Sequence, residues 1–415
     1  MNPYPPAESA APPVALRRRL ADLRGPGVPA RPLDARALAA LAANPGCDRR
    51  ALLDGAGVDK TALAAALGSP SAFGQSQFAI ARGNSFEARV KADGGAELLR
   101  LVHRELAPHL PEPGPDTVRT PALTAAGPEG RAARTALALR EAARAAADEG
   151  AWTFLDHPMV ALEVAGAPAY LEPDAVVVRP DGHWTVVEIK SFPMIDGAAD
   201  PAKVGAAARQ AAVYVLALER VAALLPAATA DPRALLVCPK DFSNLPTGAA
   251  VDVRKQRAVT QRQLGRLTRV ADLADTLPTG SCFDPELPRA TLERAVTALP
   301  AGYAPECLAA CELAFHCRDR ARAAGEPAAL GRAVRGELGS LATVDAALDA
   351  AASPAPADTD ADGSGEGEGE TEGGPVEDPT VTALRRAARL RAEALAHVPA
   401  ARTAPESRKA DPCPS

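Results

Sequence analysis

The sequence has few aromatic residues and no long apolar run. Phe, Trp and Tyr make up 3% of its 415 residues. No stretch of about 18 uncharged apolar residues occurs, so we expect no membrane span. Residues 1–6 lack the apolar core of a signal peptide, which predicts a cytoplasmic protein. The G-x-x-x-x-G-K-[ST] loop is also missing, which excludes a P-loop motor.

The formal net charge of −6 comes from one acidic segment. Residues 353–380 hold nine acidic residues and no basic ones. Leaving these nine out changes the net charge from −6 to +3. The rest of the chain is mildly basic, which permits a polyanionic partner without requiring one.

Composition divides the chain into four parts. We predict a disordered Pro- and Ala-rich segment at 1–32 with a short helix at 14–23, a main domain at 33–350, an acidic disordered linker at 351–380, and a C-terminal helix and tail at 381–415. The last helix is a candidate contact for a protein partner.

Hydrophobic periodicity predicts both helices and strands in the main domain. The predicted helices are several short ones between 33 and 67, one after a loop junction at 81–87 capped by Asn84 or Ser85, and longer ones at 131–148, 203–225, 251–277 and from residue 317 to about 350. The predicted strands are 159–164, 169–178 and 184–190, forming a meander, and 234–238. This order predicts an α/β (or α+β) fold with a mixed central sheet flanked by helices.

Charged residues stand at the ends of two apolar runs that a Pro-Asp-Gly turn connects. Asp174 precedes the first run, and Glu188 and Lys190 end the second. Charges in such places are costly unless a bound cation compensates them. An Asp, a Glu and a Lys are the set that hydrolyses phosphodiester bonds with Mg²⁺ or Mn²⁺. We predict that Asp174 and Glu188 bind metal, and that Lys190, on the strand face of Glu188, assists the water or holds the phosphate.

Four further residues are candidates for the same site. The carbonyl oxygen of Ile189 and the carboxylate of Glu87 could complete the metal coordination. Gln210 and Tyr214 lie one helical turn apart and could contact DNA or the site. Each also has a structural explanation: Glu87 as an acid near a helix N-terminus, and Gln210 and Tyr214 as packing residues.

Three of the seven cysteines, Cys307, Cys311 and Cys317, lie within eleven residues. Disulfides are not expected in a protein that is not exported, so this density favours a metal site. A fourth ligand is needed for an iron–sulfur cubane or a tetrahedral zinc. Cys47 is the first choice and Cys282 the second.

The other cysteines and one histidine carry weaker expectations. Cys238 is predicted to be a buried strand residue, and Cys413 lies in the tail. His316 could replace a cysteine in a zinc site, although we expect it at the surface.

Basic residues line one side of the helix predicted at 251–277. They fall within about 120° on a helical wheel: Arg254, Lys255, Arg262, Arg266 and Arg269. This face could follow a phosphate backbone, or it could be an ordinary solvated helix side.

Taken together, these residues resemble the PD-(D/E)XK nuclease superfamily, especially its RecB-like branch with a cysteine-ligated iron–sulfur cluster. The resemblance covers about residues 44–320. Asp174 corresponds to the family's first metal-binding acid, Glu188 and Lys190 to its E-x-K, and Gln210 and Tyr214 to its Q-x-x-x-Y motif. It implies a restriction-endonuclease-like core and a Mg²⁺- or Mn²⁺-dependent deoxyribonuclease, more often an exonuclease than an endonuclease.

The resemblance also implies a structural 4Fe–4S cluster held by Cys47, Cys307, Cys311 and Cys317. Two departures stand out. The first pair of the trio is C-x3-C where C-x2-C is more usual, and Glu87 stands where RecB-like nucleases often have histidine. The alternatives are a non-catalytic module that binds nucleic acid or assembles with a partner, and a zinc-bound structural protein.

Overall fold

The chain divides into two units, Met1–Arg320 and Ala321–Ser415. The computed structural model describes residues 14–70, 77–164, 167–241, 243–267, 270–354 and 378–396. The division falls inside the range 33–350 that the sequence predicts as one domain.

A seven-stranded mixed sheet is the main feature of the first unit. The described residues form nine strands: β1 (Val118–Arg119), β2 (Trp152–Asp156), β3 (Val160–Val164), β4 (Ala167–Leu171), β5 (Ala175–Val178), β6 (His183–Ile189), β7 (Thr229–Ala230), β8 (Arg233–Pro239) and β9 (Pro246–Asp252). The sheet order is β1-β2-β5-β6-β8-β9, with β7 beside β6, while β3 and β4 form a separate hairpin. The β1–β2, β6–β7 and β6–β8 pairs are parallel and the other pairs are antiparallel.

Helices surround this sheet and continue into the second unit. Those in the described residues are α1 (Val14–Arg24), α2 (Ala35–Ala43), α3 (Asp48–Gly55), α4 (Lys60–Ala66), α5 (Gln77–Val90), α6 (Ala92–Leu106), α7 (Gly127–Glu149), α8 (Pro201–Ala222), α9 (Arg254–Leu267), α10 (Val270–Asp275), α11 (Arg289–Thr297), α12 (Ala314–Ala323), α13 (Arg332–Glu337), α14 (Val344–Ala352) and α15 (Pro379–Ala396). Short 3₁₀ turns occur at Pro305–Ala309 and Pro327–Leu330. The predicted α/β class, with a mixed sheet flanked by helices, is confirmed.

The central strands are buried on both faces. In β5, Val176 and Val178 pack with α8, whereas Ala175 and Val177 pack with α6. Alternate residues of a strand point to opposite faces, so this continuous apolar run is what a doubly covered sheet requires. Glu188 of β6 therefore lies on the face that α8 covers.

A second apolar core lies among the helices of the first unit. It joins residues of α1, α3, α4, α10 and α11, and includes the fully buried Leu23, Leu52 and Phe283. Cys311 and Cys317 pack against this core. The cysteine region is therefore part of a helical layer that involves both early and late segments of the unit.

Several expected elements differ from the structure. The strand predicted at 169–178 is broken, because residues 172–174 turn the chain from the β3–β4 hairpin into the main sheet. The helix predicted at 251–277 begins only at Arg254, since residues up to Asp252 belong to β9. No junction occurs at 81–87, where α5 is continuous. The helix expected from residue 317 to about 350 is interrupted after Ala323.

Near the N-terminus the structure describes a helix, whereas it does not describe most of the predicted linker or the tail. The short N-terminal helix forms as α1, and its Leu23 is fully buried, so the disorder expected for 1–32 does not extend over these residues. Residues 1–13, 355–377 and 397–415, which include most of the predicted linker and the tail, lie outside the described residues.

In the second unit, α14 packs against α15, which forms where the last helix was predicted. No helix in the described part of the chain is long and apolar enough to span a membrane.

Candidate functional site

The antiparallel pairing of β5 with β6 brings Asp174 beside Glu188. The register pairs Ala175 with Val187, so the residue before β5 lies next to the residue after Val187. The backbone amide of Ile189 donates a hydrogen bond of 2.6 Å to Oδ2 of Asp174. This bond fixes one carboxylate at the end of the neighbouring strand.

Lys190 completes an acid–lysine site with Asp174 and Glu188. Its Nζ contacts Oε2 of Glu188 and lies 3.9 Å from Oδ2 of Asp174. The three side chains that the sequence singled out are therefore brought together, with the ammonium group between the two carboxylates. The role predicted for the Ile189 carbonyl stays a prediction.

Burial dominates the electrostatics of this site. Glu188 is 1% exposed, and burial raises its pKa to about 7; the Asp174 charge adds to the shift and the Lys190 charge opposes it. Burial lowers the pKa of Lys190, but attraction to Glu188 and Asp174 outweighs it, so the net shift is upward. Oε1 of Glu188 has no hydrogen-bond partner within the described ranges. A buried carboxylate oxygen in this state has unused capacity to bind a proton or a cation.

Glu87 lies next to the site but is held by two cationic partners. Its Oε1 accepts a hydrogen bond from Lys91 at 2.6 Å and lies 3.0 Å from Nε2 of His157. The His157 bond, with help from Lys91, lowers the pKa of Glu87 to about 2. The Glu87 charge is near enough to raise the pKa of Glu188.

Sequence reasoning missed Lys91, Asp156 and His157. Nζ of Lys91 lies 2.8 Å from Oδ1 of Asp156, and the bond to Glu87 raises the pKa of His157. Asp156 and His157 follow the buried run of β2. This is the same signal, a charged residue at the end of an apolar run, that identified Asp174.

Gln210 and Tyr214 support the site without reaching its carboxylates. Nε2 of Gln210 donates to the Tyr214 hydroxyl at 3.0 Å, and that hydroxyl donates to the backbone carbonyl of Glu172 at 3.1 Å. Burial raises the pKa of Tyr214, so the hydroxyl stays neutral. The pair therefore fixes the turn that leads to Asp174.

No group of three or more His, Cys, Asp or Glu side chains is arranged to hold a metal ion anywhere in the described residues. At the acid–lysine site, the Lys190 ammonium is in contact with Glu188 and 3.9 Å from Oδ2 of Asp174. A metal ion would have to displace this contact.

The cysteine cluster consists of Cys47, Cys307, Cys311 and Cys317. Cys47 immediately precedes α3, and the other three lie in or near the 3₁₀ turn Pro305–Ala309 and α12. Burial raises the pKa of Cys47 to about 12, and Cys311 and Cys317 add to the shift. Burial likewise raises that of Cys307 to about 11, again with contributions from Cys311 and Cys317. Cys311 and Cys317 are therefore near enough to act on both Cys47 and Cys307, whereas Cys282 is not among the main groups acting on either thiol.

Two side chains donate to the sulfurs. Nδ2 of Asn44 lies 3.3 Å from Sγ of Cys307, and Nη1 of Arg49 lies 3.1 Å from Sγ of Cys317. Hydrogen bonds of this kind are typical of sulfur atoms that carry negative charge in metal centres.

The predictions for the other two cysteines, Cys238 and Cys413, and for His316 have different outcomes. Cys238 is a fully buried residue of β8, as predicted, and Cys413 lies outside the described residues. The expectation of a surface histidine at 316 is wrong. His316 is 7% exposed, burial lowers its pKa to about 4, and its Nε2 has no hydrogen-bond partner in the described part of the chain.

The basic face of α9 is partly occupied by ion pairs. Arg254 pairs with Asp252, and Nη2 of Arg266 lies 3.0 Å from Oδ1 of Asp48. Gln263 accepts a hydrogen bond from the amide of Gly46 at 3.3 Å. This helix therefore holds the residues on either side of Cys47, while Arg269 lies outside the described residues.

Comparisons with protein-family models, with curated proteins and with solved structures found no match to this chain.

Proposed function

We propose that this chain is a metal-dependent nuclease that hydrolyses DNA phosphodiester bonds in the cytoplasm, acting as an exonuclease on strand ends. The observation that carries the proposal is the convergence of Asp174, Glu188 and Lys190 at the end of two paired strands. Two acids and an amine at one point of a buried sheet are the groups that metal-assisted phosphodiester hydrolysis uses.

The strand arrangement is in keeping with a restriction-endonuclease-like core. β2, β5 and β6 are consecutive antiparallel neighbours in the sheet, and α8 then connects β6 to the parallel strand β8. The acids lie at the strand end that this crossover leaves. This placement is the one that the resemblance to PD-(D/E)XK nucleases implies.

The chemistry of the donor set fits Mg²⁺ or Mn²⁺. These cations prefer carboxylate oxygens, and Glu188 has an unpartnered buried oxygen beside Asp174. Asp174 and Glu188 would hold the ion, and Glu87 becomes a third donor only if it leaves Lys91 or His157. When bound, a divalent cation neutralises phosphate charge and promotes ionisation of water.

The protein's own groups have separate tasks in this proposal. Lys190, released from Glu188, has its charged ammonium ready to hold a phosphate oxygen or orient the attacking water. Tyr214 and Gln210 keep the Glu172 turn, and thereby Asp174, in place. Accurate placement matters because small displacements of reacting groups cost large factors in rate.

We assign the cysteine cluster to a structural 4Fe–4S group. The hydrogen bonds from Asn44 to Cys307 and from Arg49 to Cys317 support this assignment, because such bonds stabilise sulfur atoms that carry negative charge in a metal centre. Four-coordinate zinc is the alternative occupant of the same four cysteines. Such a cluster would tie the segment around Cys47 to the one around Cys317.

A cleavage assay on matched variants tests the nuclease. Full-length protein is purified without oxygen, freed of divalent metal, and assayed with end-labelled single- and double-stranded DNA and RNA while Mg²⁺ or Mn²⁺ is titrated. Asp174→Ala should abolish metal-dependent cleavage with an unchanged circular dichroism spectrum. Asp116→Ala, which removes an exposed acid, is the control and should cleave normally. Undiminished cleavage by Asp174→Ala would refute the proposal.

The contact between Lys190 and Glu188 favours a second candidate, a non-catalytic module that binds nucleic acid or assembles with a partner. In that case DNA binds equally well with and without divalent metal and is never cut. The last helix, α15, has no buried residue and is the segment we propose for a protein contact. Deleting residues 379–396 should then abolish partner binding and leave DNA binding intact.

A further inference from the structure

Arg49 is a buried arginine with no carboxylate to balance its charge among the described residues. Arg49 is only 6% exposed. Nη2 donates to the carbonyl oxygen of Leu299 at 3.1 Å, and Nη1 donates to Sγ of Cys317 at 3.1 Å. Nε has no partner in the same part of the chain. A guanidinium group stays protonated in proteins, and burying its charge is costly without a nearby anion.

The charge of the neighbouring Arg50, by contrast, is balanced by carboxylates. It is 4% exposed, and its Nε lies 2.5 Å from Oδ2 of Asp54. Its Nη1 lies 2.9 Å from Oε2 of Glu312. Arg50 therefore has two carboxylates, whereas the hydrogen bonds of Arg49 to described residues go to the Cys317 sulfur and a backbone carbonyl.

The cysteine cluster can supply the missing negative charge. Cysteines bind iron–sulfur clusters as thiolates, so four of them concentrate negative charge next to Arg49. The Arg49 charge also acts on Cys47, although burial has the larger effect on the pKa of that thiol. One guanidinium thus interacts with the two segments that supply the ligands.

We propose that Arg49 is a positioning residue that holds Cys317 and balances the charge of the iron–sulfur cluster. The inference rests on the cluster assigned above. Reduction adds one negative charge to the cluster, and a fixed positive charge with an N–H donor to a ligand sulfur stabilises that reduced form. Arg49 therefore raises the reduction potential of the cluster and slows the loss of iron.

The test compares three variants of the full chain, purified without oxygen. Arg49→Gln removes the charge and keeps N–H donors for Leu299, and Arg49→Lys keeps the charge. Arg24→Gln is the control and removes an arginine of α1 that bonds the backbone carbonyls of Val28 and Ala56. Folding is checked by circular dichroism. The measurements are iron and sulfide per chain, visible absorption, the reduction potential by spectroelectrochemistry, and the rate of iron loss to a chelator.

We expect Arg49→Gln to shift the ratio of reduced to oxidised cluster at least tenfold toward the oxidised form at a fixed potential. This corresponds to a decrease of about 59 mV for a one-electron couple. Iron loss should also be at least tenfold faster. Arg49→Lys should recover most of both properties, and Arg24→Gln should match the wild type.

The results distinguish a failure of the proposed iron–sulfur cluster from a failure of the proposed role of Arg49. A wild-type protein that is colourless, or that holds only zinc, overturns the cluster and with it the role of Arg49. A brown wild type whose Arg49→Gln variant has the potential and iron retention of Arg24→Gln overturns the role of Arg49 alone. A Lys variant that loses as much potential as the Gln variant would show that charge is not the property that matters.

Discussion

The hydroxyl of Tyr214 donates a hydrogen bond to the backbone carbonyl of Glu172, which links the middle of α8 to the turn that precedes Asp174. Glu172 is two residues before the first acid of the acid–lysine site. A helix on one face of the sheet thereby determines where a carboxylate at a strand end lies. The Q-x-x-x-Y pattern thus has a structural task that is distinct from contact with substrate.

Tyr214→Phe removes this link and the hydrogen bond that Gln210 donates to the same hydroxyl. We expect the free energy of unfolding to fall by about 1–3 kcal/mol, as for the loss of two buried hydrogen bonds. The rate of metal-dependent cleavage should fall roughly tenfold because Asp174 is held less accurately. Urea denaturation and the cleavage assay measure the two effects. Tyr170→Phe, on β4, is the control, and equal effects of both substitutions would contradict the positioning role.

Glu188→Gln should change how stability depends on pH. Burial raises the pKa of Glu188 to about 7 from an ordinary value of 4.5, so the folded protein binds this proton more tightly than the unfolded chain. The resulting stabilisation is complete below about pH 4.5 and is lost as the pH rises through about 7. In metal-free buffer we expect the wild type to lose up to about 3 kcal/mol of stability between pH 5 and pH 8 from this group.

Glu188→Gln lacks this titration, so its unfolding free energy should vary less over the same interval. Urea denaturation at several pH values, with a chelator present, gives the comparison. Identical pH profiles for the two proteins would mean that Glu188 is not buried as a carboxyl group in solution.

Glu87→Gln should make the protein less sensitive to acid. The His157 bond, with help from Lys91, lowers the pKa of Glu87 to about 2, so the ionised carboxylate stabilises the fold above about pH 4.5. This stabilisation is lost as the pH falls toward 2. The variant should be less stable than the wild type at pH 6, and the difference should shrink on acidification to pH 3.

Thermal unfolding at the two pH values measures this effect. The exposed Glu97→Gln variant serves as the control, since Glu97 pairs with Arg100 on the surface of α6 and surface ion pairs contribute little to stability. A difference between wild type and Glu87→Gln that grows toward pH 3 would contradict the contact with His157.

Cys47→Ser should remove the iron–sulfur cluster, whereas Cys282→Ser should leave it in place. Cys47 lies beside Cys311 and Cys317, and three remaining thiolates hold a cubane poorly. We expect the Cys47 variant to lose its visible absorption and several kcal/mol of stability, because a structural metal centre contributes directly to folding. Visible spectroscopy, iron analysis and denaturation test this; a colourless Cys282→Ser protein would reverse the assignment of the fourth ligand.

The sequence correctly predicts those parts of the fold that depend on the residue pattern of a single segment. The apolar runs of β5 and β6, joined by Pro180-Asp181-Gly182, predict a hairpin, and the hairpin brings Asp174 and Glu188 together. The spacing of Gln210 and Tyr214 likewise predicts their mutual contact. These relations follow from strand and helix geometry alone.

Relations between distant segments were not accessible in this way. β9 has a weak apolar pattern, since its residues Pro246–Asp252 are partly exposed, and only its pairing with β8 makes it a strand. The contact of Glu87 with His157 joins α5 to the end of β2, seventy residues later in the chain. Tertiary packing decides which oppositely charged groups come into contact, and the hydrophobic periodicity of the sequence does not predict it.

The sequence also does not predict that Arg49 and His316 are buried. Arginine is usually exposed and histidine is intermediate in burial, so the residue types alone do not predict these buried positions. Their burial results from the packing of α3 against the segment that ends the first unit.

The ligands of the cysteine cluster come from opposite ends of the first unit, with Cys47 near its start and Cys317 near its close. During synthesis, the ribosome must release almost all of this unit before the fourth sulfur can meet the other three. Until then the early helices lack their partners around residues 299–313, and their apolar side chains stay open to chaperones and proteases. For the iron–sulfur cluster proposed above, delivery of iron and sulfide would therefore be a late step that follows synthesis of the final helix of the unit.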